Sequence, residues 1–399
     1  MTEVAEDSEI PASAESVEAV AEEAADDSPA TQAQAADAPP CRPMRIGWVA
    51  GEETIEHLSR TLQPLAIGLM DEPMEITAIC PQRALLSDLP SPPIEVVRYD
   101  MFHLSYFRAR AAARLANELR SYNLDLLHGL DFSAAELTRR LAQMLNLRYV
   151  ISSYSLGDGE RLGRGDGRAT CVLAACEAIR TDLLEHHVAA VDKIEVLHPG
   201  VYQVGHATLF ANPAQSIAIA AGGELEDFQA FEAVLKCFSE LKNRQYDCVF
   251  FIIGSGKAQR QLRRAAERLG LNSVLTFVDR QQPAHLAGIF KAADIYISPV
   301  PDRGIDIPVL LAMAAGDPVI AAGSGCSDFI IADKTALLYR AGDWMELTGR
   351  LRGLLDDHAA ARKLAENALE YLGEHYSPAG MVSSLAGIYR RTCLGRRSQ

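Results

Sequence analysis

A chain of 399 residues with 48% hydrophobic and 23% charged side chains can bury two domain-sized cores and has the balance of a water-exposed globular protein. Eleven of its acids and none of its bases lie in residues 1–40, so a net charge of −15 shrinks to −4 over the remainder. That balance excludes a general positive field for nucleic acid or an anionic membrane.

No apolar run reaches the roughly 18 residues of a transmembrane helix, and no basic-then-apolar leader opens the chain, so the expected compartment is the cytoplasm. The eight cysteines are scattered, without a CxxC pair, and most sit in apolar runs. They read as buried, reduced thiols. Neither a zinc-ligand cluster nor a nucleophile triad can be assembled from spacing, so no metal and no other cofactor is expected.

Residues 1–40 are rich in Ala, Glu, Asp and Pro and lack aromatics, so residues 1–43 read as a disordered acidic tail whose partner is unknown. Strands are expected at Arg45–Ala50, Glu75–Cys80, Ile94–Tyr99, Asp125–His128, Arg148–Ser153 and Cys171–Ala175. Helices are expected at Glu53–Leu69, Phe102–Ser121, Ser133–Leu145 and Glu177–His187. Residues 155–169 hold five glycines but no GxGxxG opening a helix, and read as a mobile surface loop. Residues 44–200 thus form one Rossmann-like layer, with a linker at about 200–214.

A second alternation fills 214–378: strands at 217–221, 247–253 and 274–278, helices at 227–242, 257–269 and 284–291. Next comes AADIYISPVPDRGIDIPVLLAMAAGDPVIAA, residues 292–322. Ile295–Ile297 and Val319–Ala321 read as buried parallel strands flanking a Pro-punctuated loop and an apolar helix, Ile307–Ala315. Pro308 suits the first turn of that helix, and Gly316 closes it. The loop at the carboxyl end of the first strand then faces the ligand crevice. Three helices end the chain, at 343–356, 358–375 and 378–391, the last with apolar spacing over Met381–Tyr389.

The 292–322 stretch resembles the donor-binding core of family 4 glycosyltransferases, which have the two-domain GT-B fold. Ala293-Asp294, Pro299, Gly304, Ala312-Met313-Ala314, Gly316 and Pro318-Val319 fall on the family pattern. Gly254-Ser255-Gly256 falls on its GxG, while Ala175–Leu183 and Leu197–Tyr202 follow its frame farther upstream. The implied fold is α/β: two Rossmann-like domains facing across a cleft, an acceptor type (44–200) and a nucleotide-sugar-donor type (214–378), with residues 379–399 as a C-terminal helix crossing back to the first domain. The implied reaction moves a hexose from a nucleotide-sugar donor to a saccharide or lipid acceptor. No nucleic acid takes part, and peripheral contact with a membrane is left open.

At the family's functional positions the residue types differ. Arg303 and Leu311 stand where the pattern has two glutamates that contact the donor sugar and ribose. After Gly223, Glu224 and Gln229 stand where it has the Arg and Lys that grip the diphosphate. Two hydrogen bonds to charged groups contribute about 1.5–3 kcal/mol each, so losing both costs roughly 3–6 kcal/mol of donor binding. Arg303 could replace the lost cations or pair with Asp302 or Asp306, Leu311 could simply pack, and Arg280 beside Asp279 could touch a base or phosphate. His128 and Tyr154 end acceptor-side strands, Tyr154 where the family often has His. Asp328 and Asp343 match acidic family positions and equally suit helix caps. Two readings stay open: a sugar transferase with an altered donor site, or an inactive glycosyltransferase-like binding or scaffold protein.

Overall fold

Alternation of fully buried aliphatic runs with amphipathic helices sets the architecture. The computed structural model describes residues 42–51, 62, 65–82, 94–100, 105–163, 169–204, 210, 216–279 and 283–394. The acidic tail, Arg280, most of the helix expected over 53–69 and most of the linker expected at 200–214 lie outside the described residues.

The first layer runs β1 (Met44–Val49), helix α1 at 62 and 65–70, β2 (Met74–Pro81), β3 (Glu95–Tyr99), α2 (Ser105–Leu119), β4 (Leu126–Gly129), α3 (Phe132–Leu145), β5 (Arg148–Ser153), α4 (Asp158–Leu162), β6 (Cys171–Ala174), α5 (Glu177–Glu185) and β7 (Ile194–Val196). Its seven strands are all parallel, in the order β3-β2-β1-β4-β5-β6-β7. The second layer runs β8 (Ile217–Gly222), α6 (Phe228–Asn243), β9 (Cys248–Ile253), α7 (Gln259–Arg268), β10 (Leu275–Val278), α8 (Pro283–Ala292), β11 (Ile295–Ser298), α9 (Ile307–Ala315), β12 (Val319–Ala321) and β13 (Leu337–Leu338). Its order is β10-β9-β8-β11-β12-β13, again all parallel. Strand order therefore reverses between β1 and β4 in one sheet and between β8 and β11 in the other. Crevices outside the carboxyl ends at such points are where open α/β sheets take ligands.

Helices α10 (Trp344–Asp356), α11 (His358–His375) and α12 (Pro378–Leu394) complete the chain. α12 returns to the first layer, burying Met381, Leu385, Ala386 and Tyr389 among Ile46, Trp48 and Leu126. There the Trp48 indole donates to Tyr389 Oη at 3.0 Å, and Tyr389 Oη lies 2.6 Å from His128 Nδ1. One apolar core runs through both layers, joining Ala174, Cys176 and Ile179 of the first to Ile305, Leu311, Cys326 and Phe329 of the second.

Residues 155–163 are more built than a mobile surface loop, and 164–168 of that expected loop lie outside the described residues. Asp158 is 4% exposed and accepts from Ser153 Oγ at 2.8 Å, while the Gly157 and Gly159 amides donate to Asp182 Oδ2 at 3.1 and 3.0 Å. These carboxylates fold Asp158–Leu162 into a short helix despite the glycines around it.

Candidate functional site

Four loops meet outside the carboxyl ends of the second sheet, at 223–227, 254–258, 299–306 and 322–328. A helix N-terminus carries unpaired amides and a positive partial charge, so this is where an anion would be gripped. In this chain those amides are held by its own carboxylates. Asp227 accepts from the Gln229 and Ala230 amides of α6 at 2.9 and 3.1 Å. Glu226 Oε1 accepts from the Lys257 amide ahead of α7 at 3.1 Å, and its other oxygen pairs with Lys257 Nζ at 2.7 Å. Asp306 Oδ1 accepts from the Val309 amide of α9 at 3.0 Å, next to Pro308, which has no N–H to offer.

Asp306 is the most constrained of the three. It is 7% exposed, Ser298 Oγ donates to its Oδ2 at 3.0 Å, and its own amide donates to Ser327 Oγ at 3.1 Å. Burial raises its pKa to about 7, with a smaller push from Asp302, against the lowering effect of the Val309 amide and the Ser298 hydroxyl. The carboxyl thus holds its proton far above the ordinary aspartate range while still closing the helix end.

The glycines of the GxG do not frame an open cradle. Gly254 has φ +147°, and a Cβ there would lie 2.0 Å from the Gly223 carbonyl oxygen. A Cβ on Gly256 would lie 2.5 Å from the Leu225 backbone. Both positions need glycine because the 223–225 backbone passes directly against them. Glu224 and Gln229 are exposed, on the loop and first turn after β8. Arg303 is exposed on the loop after the neighbouring β11, forms no ion pair with Asp302 or Asp306 among the described residues, and leans toward Gly157. Leu311 is 8% exposed inside the shared core. The fold therefore brings Glu224, Gln229 and Arg303 to adjacent strand ends and turns Leu311 inward.

The first layer meets this site through its backbone. The Leu156 amide donates to Arg303 O at 2.7 Å and the Ile305 amide to Tyr154 O at 3.0 Å, so Ser155 and Gly304 form an antiparallel bridge. Gly304 admits that approach, since a Cβ there would stand 3.0 Å from the Tyr154 oxygen. Nearby, Asp328 accepts from the Glu177 amide, capping a helix of the other layer at 3.0 Å, and His198 lies 3.5 Å from it. Asp343 caps α10 within its own layer.

Of the two residues expected on the acceptor side, His128 is 2% exposed with both ring nitrogens engaged, by Tyr389 Oη and by Ser152 Oγ at 2.9 Å. Its role is therefore internal rather than at a ligand surface. The Trp48 indole can only donate, so Tyr389 Oη accepts from it while also sharing a hydrogen bond with Nδ1. Burial keeps the His128 ring neutral, lowering its pKa to about 3. Tyr154 continues the chain as a half-buried partner of Ser152, and burial pushes its phenol up to about 12. It donates hydrogen bonds and does not serve as a base near neutrality. A cavity of about 250 Å³, lined by Asp125, Asn146, Leu147, Arg148 and Cys393, opens at the amino ends of β4 and β5, the wrong end of the sheet for this chemistry. No metal-holding group of three His, Cys, Asp or Glu occurs among the described residues, and no helix among them is long and apolar enough to cross a membrane.

Sequence reasoning passed over Asp306 and Glu226 as site residues. The signal for Asp306 was its place one residue before an Ile-Pro helix start, a capping position. For Glu226 it was the acidic cluster 224–227, which has no base within the helix that follows until Lys236.

Two facing parallel layers, each with a strand-order reversal and tied by a returning C-terminal helix, define the GT-B class. Comparison with known proteins agrees. Residues 58–202 match the model of Glycosyltransferase Family 4, and residues 216–357 that of Glycosyl transferases group 1. A D-inositol 3-phosphate glycosyltransferase of Corynebacterium glutamicum (strain R) is 26% identical over 323 residues, 74% of this chain and 73% of the relative. That of Corynebacterium aurimucosum is 24% identical over 314 residues, 73% of this chain and 72% of the relative. A glycosyltransferase structure from Rickettsia africae superposes with TM-score 0.74 at 16% identity, covering 90% of this chain and all of that one. The Anabaena HepE structure in complex with UDP and glucose superposes with TM-score 0.71 at 14% identity, covering 87% of this chain and 99% of that one. The chain belongs to the family 4-like glycosyltransferases.

Proposed function

We propose that this chain keeps the glycosyltransferase frame as a binding or scaffold protein and does not transfer sugar from a nucleotide-sugar donor. One observation carries the proposal: amides that should meet an anion, at the starts of α6 and α9 and just ahead of α7, are already held by Asp227, Asp306 and Glu226. No Arg or Lys stands at 224 or 229 to offset them. Missing two charged hydrogen bonds costs roughly 3–6 kcal/mol, or about 10² to 10⁴ in affinity. Gly223, Gly254, Gly256 and Gly304 then serve backbone packing, and Leu311 serves the core. On this reading residues 44–200 act as the acceptor-type domain, with Tyr154 at its cleft edge meeting a saccharide or lipid, and the protein works in the cytoplasm.

An active transferase is the second reading, favoured by relatives named D-inositol 3-phosphate glycosyltransferase that align with about three quarters of this chain. Arg303 would then supply the missing cation. Calorimetry with UDP, GDP and their common sugar conjugates separates the two. The first reading expects no saturable heat below about 1 mM, weaker than a micromolar site by the factor above. Micromolar binding together with donor turnover refutes it.

A further inference from the structure

Among the described residues, four buried polar side-chain atoms lack a hydrogen-bond partner: the Tyr339 and Tyr376 hydroxyls and both carboxyl oxygens of Asp317. The two phenols are neutral at ordinary pH, so no charge is stranded with them. Asp317 differs, because a carboxyl ionises within the ordinary range unless its surroundings forbid it. It is 0% exposed. The other buried aspartates, Asp158 and Asp306, each accept from a serine hydroxyl and a backbone amide.

Asp317 lies between Gly316, which closes α9 in the left-handed region at φ +91°, and Pro318, which leads into β12. Backbone bonds hold this turn. The Gly316 and Asp317 amides donate to Met313 O and Ala312 O, both at 3.0 Å. Ala314 O in the same turn accepts from the amide of Val204, which follows the first layer, at 3.1 Å. No cation faces the carboxyl among the described residues. α9 and β12 are wholly apolar, and α11, packed on α9, buries Ala361, Leu364, Ala365, Ala368 and Leu372. Tyr296 of β11 sends its hydroxyl to Gly222, at the opposite end of the sheet, and Lys291 of α8 is exposed. The charged group that acts on Asp317 is another acid, Asp294 ahead of β11, whose Oδ2 accepts from the Ala218 amide at 2.8 Å. Burial, with Asp294 adding to it, raises the Asp317 pKa well above the usual aspartate range.

We propose that Asp317 is a pH-sensitive latch on the turn that closes α9. As the neutral acid it stays inside the second layer. When it gives its proton to solvent, the carboxylate finds no donor in the core and must reach water, so the turn leaves with it. The Gly316 and Asp317 amides are then freed, and so is the Val204 amide that ties the end of the first layer to α9. The sign follows from proton binding. The closed turn holds the proton more tightly than the open one, so closure is strongest below the open-state value. It weakens by up to about tenfold per pH unit as pH rises toward the closed-state value. The latch sits at the far end of α9 from Asp306 and acts whether or not a nucleotide binds there.

The test is hydrogen exchange of the full-length chain at pH 5, 6, 7 and 8, with protection corrected for the intrinsic rate, on the wild type and Asp317→Asn. Asparagine keeps the shape and cannot ionise. At the amides of residues 204, 316 and 317, protection in the variant divided by that in the wild type should rise at least about tenfold from pH 5 to pH 8. Asp306 is the same in both proteins, so its own titration cancels in the ratio. A flat ratio overturns the proposal. So does a rise shared equally by the Ile46 amide of β1, which would make Asp317 a burden on the whole fold rather than a latch on one turn. If the variant fails to fold, the wild type decides alone. Its protection at Val204 and Gly316 must then fall with pH at least about tenfold further than at Val309 and Leu310, whose amides donate to Asp306, and a parallel fall overturns the proposal.

Discussion

Replacing Asp306 by Asn tests whether a buried carboxyl really closes the start of α9. The side chain keeps an oxygen for the Val309 amide and swaps a titrating oxygen for an amide beside Ser298. Moving an aspartate from its ordinary value of 3.8 to about 7 corresponds to about 4 kcal/mol of linkage free energy. The sign follows from proton binding. The folded state holds the proton more tightly, so unfolding between pH 4 and pH 7 releases one. This contribution is fully present below the unfolded value, declines by about 1.4 kcal/mol per pH unit, and is gone above the folded value. Urea unfolding at pH 4.5, 5.5, 6.5 and 7.5, followed by the fluorescence of Trp48 and Trp344, one in each half of the chain, measures it. The wild-type stability minus that of Asp306→Asn should fall by about 3 kcal/mol across this range, the part of the 4 kcal/mol that lies above pH 4.5. A difference that stays constant within about 1 kcal/mol refutes the assignment.

Other expectations follow from the same geometry. Glu224 and Gln229 are exposed, so Glu224→Arg with Gln229→Lys should leave the unfolding temperature nearly unchanged and strengthen UDP binding about 100-fold or more by calorimetry. Leu311→Glu instead puts a carboxylate into the shared core and should cost at least about 3 kcal/mol in urea unfolding. Tyr389→Phe strands the Trp48 indole N–H and the His128 Nδ1 at once, and should cost about 2–4 kcal/mol while loosening α12 in hydrogen exchange.

The fold was legible because parallel strands buried on both faces leave continuous aliphatic runs, and helices leave caps. Arg148–Ser153, Ile307–Ala315 and His358–His375 are found where the sequence places them. β13, two residues long, is too short to show any period. The turn at Asp158 was misread because five glycines outweighed two anchoring carboxylates, and one of these, Asp182, lies more than twenty residues away. The junction of the layers failed to show for the same reason on a larger scale. Nothing local to Ser155 announces Gly304 about 150 positions later, yet the two form a bridge between the layers. The carboxylate at Asp306 was visible as a cap but not as an occupant, because occupancy depends on which neighbouring amides have other partners.

That last distinction bears on how such a site can change its use. A ligand-binding helix end keeps its amides unsatisfied until the ligand arrives, which leaves stability unclaimed in the free protein. A carboxylate placed there recovers about 1 kcal/mol per cap, and Asp227 and Asp306 do so at the starts of α6 and α9, while Glu226 holds the Lys257 amide ahead of α7. Leu311 adds apolar burial where the family pattern has a carboxylate. On the proposed reading, where diphosphate binding is not required, each of these arrangements is favoured by folding alone. The frame survives because its stability lies elsewhere: in the core shared by both layers, in the Trp48–Tyr389–His128 network, and in the Ser155–Gly304 bridge. Reversing the exchange should therefore trade in the opposite sense, so that charge restored at 224 and 229 gains nucleotide affinity while charge restored at 311 loses fold.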